Sequence, residues 1–361
     1  MAHHTLRIGL IGAGGNTRSR HIPGLLALPD VEIVAVCNRR PQSTAAIARE
    51  YGIPRVYEFW QDVLGNPDLD AVVIGTWPYL HCPIVLAALE AGKHVLTEAR
   101  LSMNAAEAHR MLAASRKHSH LVSMVVPSPF GFKAHSVIRE LLDAGYIGEL
   151  REVQVASMGA SLADAAAPLS WRQDLALSGF NMLQLGILHE TLLRWTPPPV
   201  RVLAQVHAFI PTRIDPESGV RRGVGTPDSV QVLAILENGA RATYHLSGVT
   251  PYGQGTSIRL FGSDGALHYD LAADRLYGCT RATAGPGGAM EEIPIPPERA
   301  GAWQVEADFI NAIRTGAAIQ FSDFQTGVAY MEFTEAVARS AQRGEAVELP
   351  LAEFTVDEKR E

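Results

Sequence analysis

The run Leu6 to Ile11 is short and apolar, and it ends directly on Gly12, Ala13 and Gly14 ahead of a stretch able to wind into a helix. No other feature narrows the possible folds as much. Gly12 and Gly14, with Thr17 in the third place, fill the spacing G-x-G-x-x-G between a strand and a helix. The first glycine permits a tight turn, and the second lets backbone approach a pyrophosphate at the helix N-terminus. The loop from Ile8 to Thr17, with Gly15 and Asn16 inside it, is therefore expected to bind a dinucleotide. Threonine in place of the last glycine is expected only to loosen helix-on-strand packing. A glycine-rich turn with no ligand is the plainer alternative, but strand, loop and helix stand in the required order.

The flanking sequence reads as an α/β Rossmann domain, a parallel sheet wrapped by helices, because short apolar runs alternate with helical patterns. Strands are expected at Leu6 to Ile11, Glu32 to Cys37, Ala71 to Gly75, His94 to Thr97 and Leu121 to Val126. A helix from Pro83 to Ala91 stops at Gly92, and Asn104 followed by Glu107 has the spacing of a helix-opening cap. After Pro127 and Pro129 the pattern changes. A helix from Ser136 to Ala144 precedes strands at Glu149 to Met158, Val200 to Ile210, Val230 to Leu236, Arg241 to Ser247, Ile258 to Gly262 and Ala266 to Asp270. Apolar residues alternate from Val200 to Ile210, which predicts one packed face and one wetter face. Ala284 to Pro297, rich in Gly and Pro, reads as a surface loop. A length of 361 residues with 47% hydrophobic content suits two domains. The expected division is 1–126, dinucleotide-binding, and 127–361, an α+β domain with a mainly antiparallel open sheet for substrate binding and oligomerisation.

The net charge of −7, with no basic blocks, argues against nucleic acid as a partner, since that contact is mostly phosphate neutralisation. Cys37, Cys82 and Cys279 are too few and too scattered for a disulfide framework or a zinc motif, so no metal is expected and a reducing cytoplasm fits. No apolar run reaches membrane-spanning length, and no secretory leader is legible. At the end of the second strand, where a ribose-reading residue belongs, stand Asn38, Arg39 and Arg40. A carboxylate there would repel a 2′-phosphate. Asn38 does not, and a guanidinium beside it can pair with phosphate, so NADP is preferred over NAD. Two solvated arginines at a helix start are the alternative.

Several segments together resemble the glucose-fructose oxidoreductase, inositol dehydrogenase and MocA family, written Gfo/Idh/MocA. They are GLIGAGG near the start, LDAVVIGTWPYLHCPIVLAALEAGKHVLTEA from Leu69 to Ala99, LLDAGYIGEL from Leu141 to Leu150, and SGFNMLQLGILHE from Ser178 to Glu190. The resemblance covers nearly the whole chain. It implies a Rossmann domain followed by a mainly antiparallel domain whose open sheet face builds homodimers or homotetramers. It implies oxidation or reduction of a ring hydroxyl of a sugar, cyclitol or related polyol with NAD or NADP and without a metal. It also places Thr76, Trp77, Pro78 and His81 along the adenine-to-nicotinamide path and Glu98 beside the nicotinamide ribose. A capping or packed histidine is the plainer reading of His81.

The chain departs from that family at two working positions. The usual Glu-Lys-Pro reads Glu98, Ala99 and Arg100, and alanine can neither donate a hydrogen bond nor carry charge. The family's aspartate, four residues before a histidine, is Leu185 if His189 is that histidine. Aligned on Gly186 instead, Leu188 takes the histidine's place. Hydride transfer from a carbinol needs a base for the hydroxyl proton, and His189 is the catalytic candidate. Glu190 is a second, and a packed histidine on an apolar helix is the equal alternative for His189. Trp171, Arg172, Gln173 and Asn181 resemble the family's substrate-contacting segment, suited to stacking on a sugar face and bonding its hydroxyls. The leading expectation is an NAD(P)-dependent dehydrogenase. A cofactor-assisted lyase or epimerase without net redox, and a nucleotide-binding regulatory protein, are the alternatives.

Overall fold

The computed structural model describes residues 4–284 and 289–355, which form two compact units. The first comprises Met1–Pro127 and Gln304–Met331, the second Ser128–Trp303 and Glu332–Glu361.

In the first unit, β1 (Leu6–Ile11), β2 (Val31–Cys37), β3 (Arg55–Val56), β4 (Ala71–Ile74), β5 (His94–Thr97) and β6 (Ser123–Val125) lie in the order β3-β2-β1-β4-β5-β6. Every pair in that sheet is parallel. Helices cover both faces of such a sheet, so its strands carry unbroken apolar runs, and all four residues of β4 are buried. The strand order reverses at β1, which has β2 on one side and β4 on the other, and ligands bind in the crevice outside the carboxyl ends at that point. Asn104 caps the helix Ala105–Lys117 by accepting from the Glu107 amide at 2.9 Å.

The segment 304–331 corrects the expected division of the chain, because its apolar side is buried in the first unit's core. Phe324, Val328 and Met331 share a cluster with Ile84 and Val95, and the Leu101 amide donates to the Tyr330 hydroxyl at 2.6 Å. Arg314, near the end of the helix Val305–Thr315, donates to the carbonyls of Pro29 and Asp30.

The second unit contains β7 (Leu150–Met158), β8 (Pro199–His207), a separate hairpin of β9 (Thr212–Ile214) and β10 (Arg221–Gly223), β11 (Ser229–Leu236), β12 (Arg241–Ser247), β13 (Gly255–Gly262), β14 (Gly265–Asp270), β15 (Arg275–Thr280), β16 (Glu291–Ile293) and β17 (Val347–Glu348). All but the hairpin form one sheet, ordered β16-β15-β14-β13-β7-β12-β11-β8-β17. It is antiparallel except where β12 runs parallel to β7. Val232, Tyr244, Val155, Ile258 and Tyr269 form one buried row across it, while Leu203, Leu233, Thr243, Gln154, Arg259 and His268 form the opposite row. That second face is open: Leu203 is 41% and Leu233 59% exposed. The alternation expected along Val200 to Ile210 holds only in part, since the strand ends at His207 and Val206 is exposed. Within the expected surface loop Ala284 to Pro297, residues 285–288 lie outside the described residues, and Glu291–Ile293 is strand β16 paired with β15.

Candidate functional site

Gly12 adopts φ +89°, in the left-handed region, and a Cβ there would meet the Thr76 amide nitrogen at 2.6 Å. Glycine is required on both counts. Thr17 occupies the place of the missing glycine and does more than loosen packing. Its hydroxyl donates to the Gly12 carbonyl at 3.0 Å, closing the turn from inside while the residue stays buried. Gly75, after β4, fits against this tie, for a Cβ on it would collide with the Thr17 hydroxyl and the Gly12 carbonyl. Asn38 holds the loop from the other side. Its Oδ1 accepts from the Ala13 amide at 2.6 Å and its Nδ2 donates to Ser43 Oγ at 2.9 Å.

A cavity of about 590 Å³ opens over this loop. Gly12, Gly14, Asn38, Arg39, Arg40, Thr76 and Trp77, all expected at the cofactor, line it. The Arg39 guanidinium lies 5.1 Å above the Trp77 ring. Gly15, Asn16, Thr17, Pro78, His81 and Glu98 do not line it. His81 is fully buried, with Nδ1 3.0 Å from the Arg100 carbonyl and Nε2 3.0 Å from the Thr76 carbonyl. Burial lowers its pKa, and a neutral ring has one N–H to donate, so it bonds one of these two carbonyls at a time while packing against both segments. It supports the cavity wall from behind and does not face the cavity.

Sequence reading missed the opposite wall, built from Phe59, Trp60 and Glu58. Phe59 is 59% exposed, and the flat apolar surface of this pair suits an adenine ring. Two observations fit a dinucleotide: the cradle that only Gly12 can form, and Thr76 Oγ1, buried with no hydrogen-bond partner among the described residues.

Glu98 follows β5 at the carboxyl edge of the parallel sheet and accepts a hydrogen bond from Asn16 Nδ2 at the start of the loop's helix. His21 reaches the same carboxylate, Nε2 to Oε1 at 3.0 Å, and its Nδ1 lies 2.5 Å from Glu306 Oε1. This buried Glu–His–Glu cluster had no local sequence signal, since Glu306 lies 285 residues from His21.

In the second unit, His189 sits on the helix Leu185–Leu193 beneath the sheet. Its ring stacks on Phe333 at 3.7 Å between centroids, and Nδ1 is 2.8 Å from the Tyr244 hydroxyl. It is 1% exposed, and burial lowers its pKa to about 3. The ring is held by Phe333 and Tyr244 as a packed histidine would be, which is the plainer of the two readings of His189. Glu190, the next residue, is buried in an ion pair. Its carboxylate receives Arg194 at 2.7 Å and the Ser128 amide at 2.8 Å, while Arg194 donates to the carbonyls of Ser128 and Phe130. The pair pins the segment after Pro127.

Of the expected substrate contacts, Gln173 is buried in a capping box with Ser170, and Asn181 is buried with its Nδ2 donating to the Ser178 carbonyl at 2.6 Å. Both close turns. Trp171 and Arg172 stay accessible, with the guanidinium 4.3 Å over the indole. Aligned on Gly186, the family's aspartate position falls to Gln184, which is half-buried and accepts from Ser157 Oγ at 3.1 Å. Ser157 also meets Thr256 Oγ1 at 3.1 Å, giving a polar cluster the sequence reading did not single out.

Residues 6–126 match the oxidoreductase family with an NAD-binding Rossmann fold, and residues 135–268 match the GFO/IDH/MocA C-terminal domain. The chain belongs to the GFO/IDH/MocA oxidoreductase family. It is similar to trans-1,2-dihydrobenzene-1,2-diol dehydrogenase of Mus musculus, 33% identical over 67% of this chain and 68% of that one. It is also similar to levoglucosan dehydrogenase of Pseudarthrobacter phenanthrenivorans, 26% identical over 96% of this chain and 98% of that one. A solved levoglucosan dehydrogenase in complex with NADH and L-sorbose has the same fold, with a TM-score of 0.84, 23% identity and coverage of 97% and 100% of the two chains. As a GFO/IDH/MocA oxidoreductase the chain is an NAD(P)-dependent enzyme acting on CH–OH groups. Residues 6–126, which carry the glycine loop, are the part that matches the NAD-binding Rossmann fold.

Proposed function

We propose that this enzyme interconverts a ring hydroxyl and a ketone of a sugar, cyclitol or related cyclic polyol, with NADP preferred over NAD. The observation that carries the cofactor preference is the corner of the cavity formed by Asn38, Arg39 and Arg40, where two guanidinium side chains and no strand-end carboxylate stand. The bound nucleotide supplies the hydride acceptor or donor. The chain's own residues do the rest of the holding: Gly12 and Gly14 admit the pyrophosphate, Thr76 Oγ1 offers a hydrogen bond, and Phe59 with Trp60 flank the base. Glu58 on the same wall is the countervailing charge, and one carboxylate against two guanidiniums leaves the corner net positive.

The polyol class is supported by the named relatives, which are dehydrogenases of an anhydrosugar and of a cyclic diol, and by a neighbour of like fold that holds NADH and L-sorbose. Trp171 under Arg172 offers a stacking surface and hydrogen-bond donors to such a ring. Purified protein incubated with NADP and a panel of sugars and cyclitols is expected to form reduced nicotinamide with at least one of them. Tighter binding of NAD than of NADP would overturn the Arg39 and Arg40 reading.

The open sheet face, with Leu203 and Leu233 exposed side by side, is proposed to join copies of this chain into a homodimer or homotetramer. No helix among the described residues is long and apolar enough to cross a membrane, and all three cysteines are free, which supports a reducing cytoplasmic setting. Light scattering of Leu233→Glu is expected to report a smaller assembly than wild type. An unchanged mass would remove this face from the interface.

A further inference from the structure

The helix that leaves the glycine loop opens with a π-turn over Thr17–His21 before continuing as Ile22–Leu26. In an α-helix residues five apart point about 140° away from each other. The i→i+5 closure of a π-turn brings them towards one side. Here that places Asn16 and His21 on the same carboxylate, Glu98 Oε1. Single π-turns concentrate at functional sites because they re-aim side chains at a cost the rest of the helix must absorb. Behind His21 stands Glu306 from the helix Val305–Thr315, and Gly24 leaves it room: a Cβ at Gly24 would lie 2.6 Å from Glu306 Oε2.

We propose that His21 and Glu306 are positioning residues that fix the Glu98 carboxylate against the dinucleotide loop, where it acts on the nicotinamide end of the bound cofactor. The inference rests on the dinucleotide reading of the loop and deepens it. Glu98 stands at the carboxyl end of β5, beside β4 and its Gly75–Thr76 turn, on the edge where this class of sheet binds its ligand. Its side chain keeps 15% of its surface open, whereas His21 and Glu306 are closed off at 0% and 4%. The cluster therefore presents one carboxylate and buries the rest of the apparatus.

Burial would lower the His21 pKa, but hydrogen bonds from its ring to Glu306 and Glu98 and the charges of both outweigh burial and raise it to about 9. Burial would raise Glu98, and the His21 hydrogen bond and charge outweigh that and lower it. Asp308, on the Glu306 helix, is pushed up by burial and by the Glu306 charge, and His81 faces Glu98 as a neutral ring. At neutral pH His21 is an imidazolium and Glu98 a carboxylate, and Glu98 is the more open side chain of the two. A carboxylate at that end favours the oxidised nicotinamide ring, which is cationic, over the neutral reduced ring.

Two measurements on the full chain test this, with the isosteric variant Glu306→Gln used so that packing against Gly24 is kept. In the nucleotide-free protein, ¹⁵N NMR of the histidine rings, with His21 assigned from His21→Gln, is expected to show both His21 nitrogens protonated at neutral pH and titrating near 9, and titrating lower in Glu306→Gln. An ordinary midpoint near about 6.5 in wild type would overturn the proposal. In the second, NADP⁺ and NADPH affinities are compared by titration. Glu306→Gln is expected to weaken NADP⁺ about tenfold, equivalent to one pKa unit of lost charge preference, with a smaller effect on NADPH and with recovery in Glu306→Asp. A purely structural role would weaken both nucleotides alike. Wild-type binding with an unchanged NADP⁺/NADPH ratio in Glu306→Gln overturns this inference alone; wild-type protein that binds neither nucleotide overturns the functional reading as well.

Discussion

At the scale of single residues, the strongest constraint is Gly12. A side chain there must adopt φ +89° and press on the Thr76 backbone. The left-handed conformation alone costs about 1–3 kcal/mol for a residue with a Cβ. Gly12→Ala is expected to weaken nucleotide binding at least about tenfold while the protein stays folded, as followed by reduced-nicotinamide fluorescence. Glu190 and Arg194 show why a charged residue on an apolar helix need not be catalytic. Their exposures are 1% and 5%, so Glu190→Ala leaves a guanidinium buried without its carboxylate, and urea denaturation is expected to show a loss of about 3–5 kcal/mol. The Arg18–Glu50 pair, about half exposed, is expected to leave stability little changed in the same assay, because solvent screens it. The glycine loop was legible from sequence because its spacing is local. The packing of His189 was not, because an apolar helix reads the same for a packed ring and a reactive one, and its partners Phe333 and Tyr244 are far away in sequence.

At the scale of elements, the loop and its helix behave as one unit fastened by the Thr17 hydroxyl. Thr17→Gly would complete the G-x-G-x-x-G spacing, yet it removes the bond to the Gly12 carbonyl and adds backbone freedom inside the helix. The two losses are about 1 kcal/mol each, so the variant is expected to be less stable than wild type in urea denaturation. The main strands of both sheets could be read from apolar runs and alternation. The short β3 could not, because both its residues are exposed and it has no alternation to show. The hairpin β9–β10 escaped for a similar reason, since all three residues of β10 are exposed and two are arginine. The return of 304–331 to the first unit was also hidden. A helix pattern tells which face is buried, and says nothing about which core receives it.

At the scale of the whole molecule, two buried histidines bracket the pH range of greatest stability. His189, held near 3 by burial, contributes stability that is present above its unfolded value of about 6.5 and is lost as pH falls. His21, raised to about 9, contributes stability that is present below about 6.5 and is lost as pH rises through 9. Thermal unfolding across pH is expected to show a maximum near neutrality, with the acid limb shallower in His189→Gln and the alkaline limb shallower in Glu306→Gln. The residues that set this profile come together only in the folded chain, which is why no window of sequence displayed them. What the sequence did display is the dinucleotide loop. The most direct test is equilibrium titration of the purified full chain with NADP and with NAD, in wild type and Gly12→Ala. Saturable binding is expected, with NADP the tighter ligand and with that binding lost in the variant; wild type that binds neither nucleotide, or a variant that binds as wild type does, would rule out the loop as the dinucleotide site.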